Sequence, residues 1–169
     1  MHKRFLSKKE RRELSRTIGI SEVSEILRDS DEVVLLSYDR FSLYVADGKP
    51  VLFELRGVLY PTLYILNVLL NQGREVSIPY VVVDEGAVNP LINGADVMAP
   101  GISRIARPFS KGEVVAVMHP SGRYFIVVGH ALMDSRDVES VRRGKAIKNV
   151  HRLNDKIWQI SLDIVRKGV

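Results

Sequence analysis

Cysteine is absent from all 169 residues. Disulfides, thiolate metal sites and thiol nucleophiles are excluded with it. The absence fits a cytoplasmic protein, and avoidance of a heat-labile residue also fits a thermophile. Long apolar runs are missing too. No stretch reaches the roughly eighteen residues that a membrane helix needs. Nothing apolar follows the charged start MHKRFLSKKERR, so no secretory signal is expected. No Walker loop, no GxGxxG and no GxSxG occurs. Tryptophan appears once, at 158.

What is present is a globular composition, 46% apolar and 27% charged, with enough length for one large or two small domains. The net charge of +5 is unevenly placed. Residues 1–16 hold seven bases (Lys3, Arg4, Lys8, Lys9, Arg11, Arg12, Arg16) against two acids (Glu10, Glu13), while the rest of the chain balances. A second basic cluster is Arg142, Arg143, Lys145, Lys148 and Arg152. Clusters of this kind suit a polyanion, most often nucleic acid.

The hydrophobic pattern divides the chain into an α+β part and a strand-rich part. Ser7 followed by Glu10 has capping-box spacing and predicts a helix over 7–18. A second helix is expected from Ser21, acting as cap, to Leu27. EVVLLS (32–37), FSLYVA (41–46) and VLFEL (51–55) read as an antiparallel meander broken at Asp47-Gly48. Pro61 suits the first turn of a helix that carries Leu63, Leu66, Leu69 and Leu70 inward and stops at Gly73. NQGREVS (71–77) reads as a linker. Beyond it six strands are expected: 79–84, 95–100, 113–119, 123–133, 146–151 and 157–165. A short helix should lie over 134–144. Six short strands in this length suggest a small, nearly closed barrel. The expected domains are therefore 1–75 and 78–169.

Residues 83–102, VDEGAVNPLINGADVMAPGI, hold three glycines and two prolines and no basic residue. They read as strand, irregular short helix, Asn93-Gly94 turn and strand. Small residues there either close a tight barrel corner or let an extended partner approach the backbone. Spacing alone favours the corner.

This stretch resembles the signature of the PUA domain, a small RNA-binding pseudobarrel. SRDVESVRRGKAIKNVH resembles the remainder of that domain. LYPTLYIL (59–66) and NVHRLNDKIW (149–158) extend the likeness to the malignant T-cell amplified sequence and ligatin-like translation factors. The lack of cysteine and the compact size point to an archaeal-type member. The resemblance implies a pre-PUA domain that docks on the small ribosomal subunit or on a translation-factor partner such as a density-regulated protein. It also implies a PUA domain that holds structured RNA, such as the acceptor end of a tRNA, or rRNA. RNA-contacting positions carried over from it are Gly86, Ala87, Asn93, Gly94, Ala95, Met98, Pro100, Gly101 and Lys145. The neighbouring bases Arg104, Arg107, Arg143, Lys148 and Arg152 are added for phosphate contacts, which supply most of the affinity in such complexes.

No catalytic residue, metal or cofactor is expected. The four histidines lack metal-site spacing. His119 and His130 lie on adjoining expected strands and can meet across the turn, but two neutral ligands without a carboxylate make a poor site. Asp134, Asp137 and Asp155 suit caps and turns, and Trp158 suits a core anchor on the last strand. The reading is a non-enzymatic, cytoplasmic RNA-binding factor of translation. The alternative is the accessory subunit of an RNA-modification enzyme.

Overall fold

The computed structural model describes the whole chain, Met1–Val169. It falls into two compact units. The first comprises Met1–Ser77 and Gln159–Val169, and the second Ile78–Trp158. The last eleven residues thus group with the first unit rather than with 78–158, contrary to the 78–169 boundary.

The first unit is a five-stranded antiparallel sheet with helices. The strands β1 (His2–Phe5), β2 (Val33–Ser37), β3 (Ser42–Ala46), β4 (Lys49–Leu55) and β5 (Val58–Pro61) lie in that order across the sheet. The meander follows its turns. Asp47 and Gly48 both take positive φ between β3 and β4, and Arg56 and Gly57 do the same between β4 and β5. Two-residue turns of that handedness match strand twist. β4 buries Pro50 to Phe53, and Phe53 stacks on Tyr60 of β5 at 5.1 Å. Two elements differ from expectation. β1 is charged and exposed along its length and gave no apolar signal; pairing of Phe5 with Val34 and of His2 with Ser37 makes it a strand. Pro61 ends edge strand β5 instead of opening a helix. An edge position tolerates its missing N–H, and Thr62 caps the helix through Ile65 N–H at 3.1 Å.

Two helices lie between β1 and β2, and a third follows β5. α1 (Lys8–Thr17) has the expected capping box between Ser7 and Glu10. α2 (Ser21–Asp29) is capped at Ile20 without a side-chain bond, so Ser21 is its first residue and not its cap. α3 (Leu63–Asn71) buries Leu63, Ile65, Leu66 and Leu69, and Gly73 turns the chain at positive φ beyond it. Residues 71–77 are not a free linker. Val76 is buried, and Ser77 N–H donates to the Glu22 carboxylate.

The second unit is a six-stranded sheet curled into a nearly closed barrel. Its strands are β6 (Tyr80–Val83), β7 (Val97–Met98), β8 (Ile102–Ile105), β9 (Val114–Met118), β10 (Phe125–Ala131) and β11 (Lys145–Arg152), ordered β7-β11-β10-β9-β6-β8. The expected strand over 95–100 shrinks to two residues, and a 3-10 turn, Ala99–Gly101, leads directly into β8. Between β6 and β7 run a 3-10 turn, Glu85–Ala87, and the short helix α4 (Val88–Ile92). Pro90 sits where so short a helix loses little by its missing donor. α5 (Ser135–Val141) has Asp134 at its N-cap position and ends at left-handed Arg142. The core joins Val81, Val83, Leu91, Val97, Ile102, Val115, Val117, Ile126, Val127 and Ile147.

Residues 157–165 form no strand. They belong to helix α6 (Lys156–Lys167). Alternation of Trp158, Ile160, Leu162 and Ile164 mimics a strand period, but the buried residues are Ile157, Ser161 and Ile164, at helical spacing. Asp155 starts the helix by accepting Trp158 N–H at 2.8 Å, and Arg166 and Lys167 suit its last turn. Trp158 is consequently half-buried on a helix and not a strand anchor.

Candidate RNA interface on the barrel

The glycine corner is held from below by one buried residue. Asn149 of β11 donates through its Nδ2 to Leu91 O at 2.9 Å and to Ala95 O at 2.8 Å. These bonds fix both ends of the turn that contains Asn93 and Gly94. Asn149 N–H donates to Asp96 Oδ1 at 2.9 Å. Asp96 in turn holds two lysines: Lys145 Nζ lies 3.3 Å from Oδ2 and Lys148 Nζ 3.6 Å from Oδ1. Burial pushes the Asp96 carboxyl up, but the Asn149 N–H and the two ammonium groups outweigh it and hold the carboxyl below the usual aspartate range.

A bulge explains how both lysines reach one carboxylate. Strict alternation would send residues 145 and 148 to opposite faces. The register between β7 and β11 shifts between Lys145 and Ile147, so Ala146 and Ile147 are both buried while Lys145 and Lys148 share the outer surface. Their side chains remain 64% and 52% exposed, available to a ligand despite the ion pairs.

The three glycines of the corner differ in what they do. Gly94 has φ +101, and a Cβ there would lie 3.3 Å from Arg152 Cζ. Arg152 also donates from Nε to Ile92 O at 3.0 Å, so this guanidinium covers the turn. Gly94 is therefore required by the fold, as the barrel-corner reading expects. Gly86 is exposed and has no positive φ, and a methyl group added to it would meet no atom within 4 Å. Gly101 would meet only Ala87 Cβ, at an ordinary 3.5 Å. Neither packing nor backbone conformation demands glycine at 86 or 101.

Most of the expected contact residues are brought into one track. Arg152, Gly94 and Ala95 mark one end, and Lys148 and Asp96 the middle. Lys145 pairs with Met98, which is 46% exposed, at the other end. Ala99 N–H donates to Gly144 O at 2.9 Å, which sets exposed Arg143 beside Pro100 and Gly101. Gly101 O accepts from Asp84 N–H and draws the Gly86-Ala87 turn to the same place. Arg104 and Arg107 do not join. Arg104 lies on β8 opposite Val82, and Arg107 follows just beyond the strand with its N–H on Tyr80 O. The sequence reading missed Asp96 and Asn149, the two residues that organise the track; Asp96 directly after the small residues of NGAD was the available signal.

The histidines do not form a site. His119 and His130 stand at opposite ends of β10, since His119 N–H bonds Tyr124 O while His130 pairs with Val114. His151 is fully buried, with Nδ1 2.8 Å from Asp155 Oδ2. Burial pushes the Asp155 carboxyl up, but His151 and the N–H groups of Trp158 and Arg152 more than offset it, so the carboxyl titrates below the ordinary value of 3.8. Its stabilisation is then complete above the unfolded value and is lost as pH falls through the folded one. Asp155→Asn should flatten the acid side of the stability curve: urea midpoints of the variant should change less than those of the parent between about pH 6 and pH 3.

Two folded units of this kind, a small antiparallel sheet with helices and a six-stranded barrel, define a two-part protein of the PUA class. Residues 79–153 match the PUA domain, and residues 2–68 match a domain of unknown function, DUF1947. An uncharacterized protein of Methanocaldococcus jannaschii is 36% identical over 91% of this chain and 93% of its own length. Translation machinery-associated protein 20 of Saccharomyces cerevisiae is 26% identical over 83% of this chain and 79% of its own. Malignant T-cell-amplified sequence 1 of Rattus norvegicus is 28% identical over 82% and 76%. Among solved structures, a hypothetical protein of the hyperthermophilic archaeon Pyrococcus horikoshii superposes with a TM-score of 0.81 at 33% identity, covering 95% of this chain and 99% of that one. A conserved PUA domain protein from Thermoplasma acidophilum gives 0.74 at 32%, with the same coverage. The chain belongs to the two-part PUA-domain proteins that these archaeal relatives represent, and it is similar, at lower identity, to the malignant T-cell-amplified sequence proteins.

Proposed function

We propose that this chain is a translation-associated RNA-binding protein. The barrel holds a structured RNA, such as a tRNA acceptor end, along the track from Lys145 to Arg152. The observation that carries this reading is the pair of exposed lysines beside two glycines that the fold itself does not need. Missing side chains at 86 and 101 let a sugar–phosphate backbone come close to the main chain, and the lysines of β11 supply the charge that meets it. The kinship with a translation machinery-associated protein supports the setting. The test is binding of purified tRNA, measured by fluorescence anisotropy between about 50 and 300 mM KCl. Log affinity should fall with log salt by about 0.7 to 0.9 per phosphate contacted. Absent or salt-independent binding would sink the reading.

The first unit supplies a second face, for the small ribosomal subunit. A cleft of about 500 Å³ is lined by Lys8, Arg11, Arg12, Arg28, Ser30 and Asp31. Arg11 is occupied: its guanidinium bonds the carbonyls of Leu27, Arg28, Ser30 and Asp31 and so closes the C-terminus of α2. Lys8, Arg12 and Arg28 are exposed around it. Changing these three to alanine should reduce co-sedimentation with small ribosomal subunits about tenfold or more, while tRNA affinity of the barrel stays within about twofold. Equal loss of both would argue against separate tasks.

A further inference from the structure

The tip of the β9–β10 hairpin carries a feature the RNA track does not use. His119 and Tyr124 face each other across the turn, with ring centroids 4.6 Å apart and planes 21° from parallel. The pair is built and held. His119 N–H donates to Tyr124 O at 2.9 Å. Ser121 N–H donates to His119 Nδ1 at 3.0 Å, and Ser121 Oγ lies 2.9 Å from the same atom. A backbone N–H is only a donor, so Nδ1 is the accepting nitrogen and the neutral ring carries its proton on Nε2. Tyr124 is nevertheless 38% exposed, an unusual place to leave a phenol ring that forms no part of the core, and Arg123 beside it is exposed as well.

Topology places this tip at the same end of the barrel as the glycine turn. β10 begins there, with Phe125 opposite Met118. β11 ends there, with Arg152 opposite Val127 and with its guanidinium over Gly94. A strand of RNA that follows the lysines of β11 towards Arg152 runs towards the aromatic pair.

We infer that His119 and Tyr124 form a stacking platform for an unpaired nucleobase, extending the phosphate track by one readable position. This rests on the RNA-binding reading above. Stacking tolerates any base, because every base has a π-face, and it requires that the base be unpaired. A pair whose histidine ring is held by Ser121 and whose tyrosine ring is stacked on it loses little freedom when a base lands on it. The platform therefore adds preference for a single-stranded end next to a duplex, something the lysines alone do not supply.

The probe is an RNA hairpin, used either blunt or with a four-nucleotide unpaired 3′ tail carrying 2-aminopurine. Wild-type full-length chain should bind the tailed hairpin about tenfold more tightly than the blunt one and quench the 2-aminopurine. Tyr124→Leu should abolish that preference and the quench while leaving blunt-hairpin affinity and the salt slope unchanged. Tyr124→Phe should restore both. His119→Ala should weaken tail preference to a lesser degree, and thermal unfolding identifies any variant that merely loosens the hairpin. Equal affinity of the wild type for both hairpins, or quenching that survives in Tyr124→Leu, overturns the platform while the track stands. Failure of either hairpin to bind overturns the platform and the RNA-binding reading together.

Discussion

Replacing Lys145 and Lys148 together by alanine is expected to weaken tRNA binding by about a hundredfold near 0.1 M salt and to reduce the salt slope by nearly two. Both side chains are more than half exposed, so the loss should come without unfolding. Each phosphate contact releases about one condensed counterion, which near 0.1 M salt is worth close to a factor of ten. Two contacts then give the hundredfold, and the slope falls because two fewer ions are released. The two readouts must move together. A hundredfold loss with an unchanged slope would mean that the lysines act through the shape of the corner. An unchanged affinity would remove β11 from the interface altogether. Arg104→Ala and Arg107→Ala, on β8 and just beyond it and not paired with Asp96, serve as matched charge controls and should each cost less than about threefold.

Gly129→Ala should be the most damaging single methyl group that can be added to the barrel. A Cβ at this position would lie 1.7 Å from the Lys148 carbonyl oxygen and 2.9 Å from its carbon. Those atoms are backbone, so no rotamer change relieves the clash. β11 would have to move away from β10 at the point where their register already shifts, between Val128 and Gly129. Overpacking of this kind costs about 3 kcal/mol or more. For a unit of this size the corresponding fall in melting temperature is about 10 °C or more. Urea unfolding followed by tyrosine fluorescence and circular dichroism would measure it. A variant as stable as the parent would show that the close approach of the two strands is not needed for the fold. Since the carbonyl in question belongs to Lys148, any surviving folded variant should also bind tRNA less well.

Fold class was legible because burial patterns are strong where the elements matter most. The meander of the first unit announced itself through apolar strands around Asp47-Gly48, and the capping box at Ser7 and Glu10 was explicit. The errors have individual causes. His2–Phe5 has no apolar alternation, because an edge strand facing water needs none. Arg56 in a left-handed turn gives no composition signal, which hid β5 and turned Pro61 into a helix start. Over 157–165 two periods coexist, and the alternating one was the more visible although Asp155 had already supplied a helix cap. At the candidate interface, small residues and bases could be read directly. The connection between them could not, since it runs through Asp96 and Asn149, which lie 53 positions apart in the chain.

Asp96 has a consequence for selectivity. In the free protein its carboxylate already sits against the two ammonium groups of β11. An arriving phosphate must compete with that internal anion as well as with dissolved ions. Loose polyanions, which offer scattered charge and no shape, gain little from such an exchange. On the proposed RNA-binding reading, a rigid backbone that also fills the space above Gly86 and Gly101 would recover the difference, and the aspartate would then set a threshold that favours folded ligands over bulk negative charge.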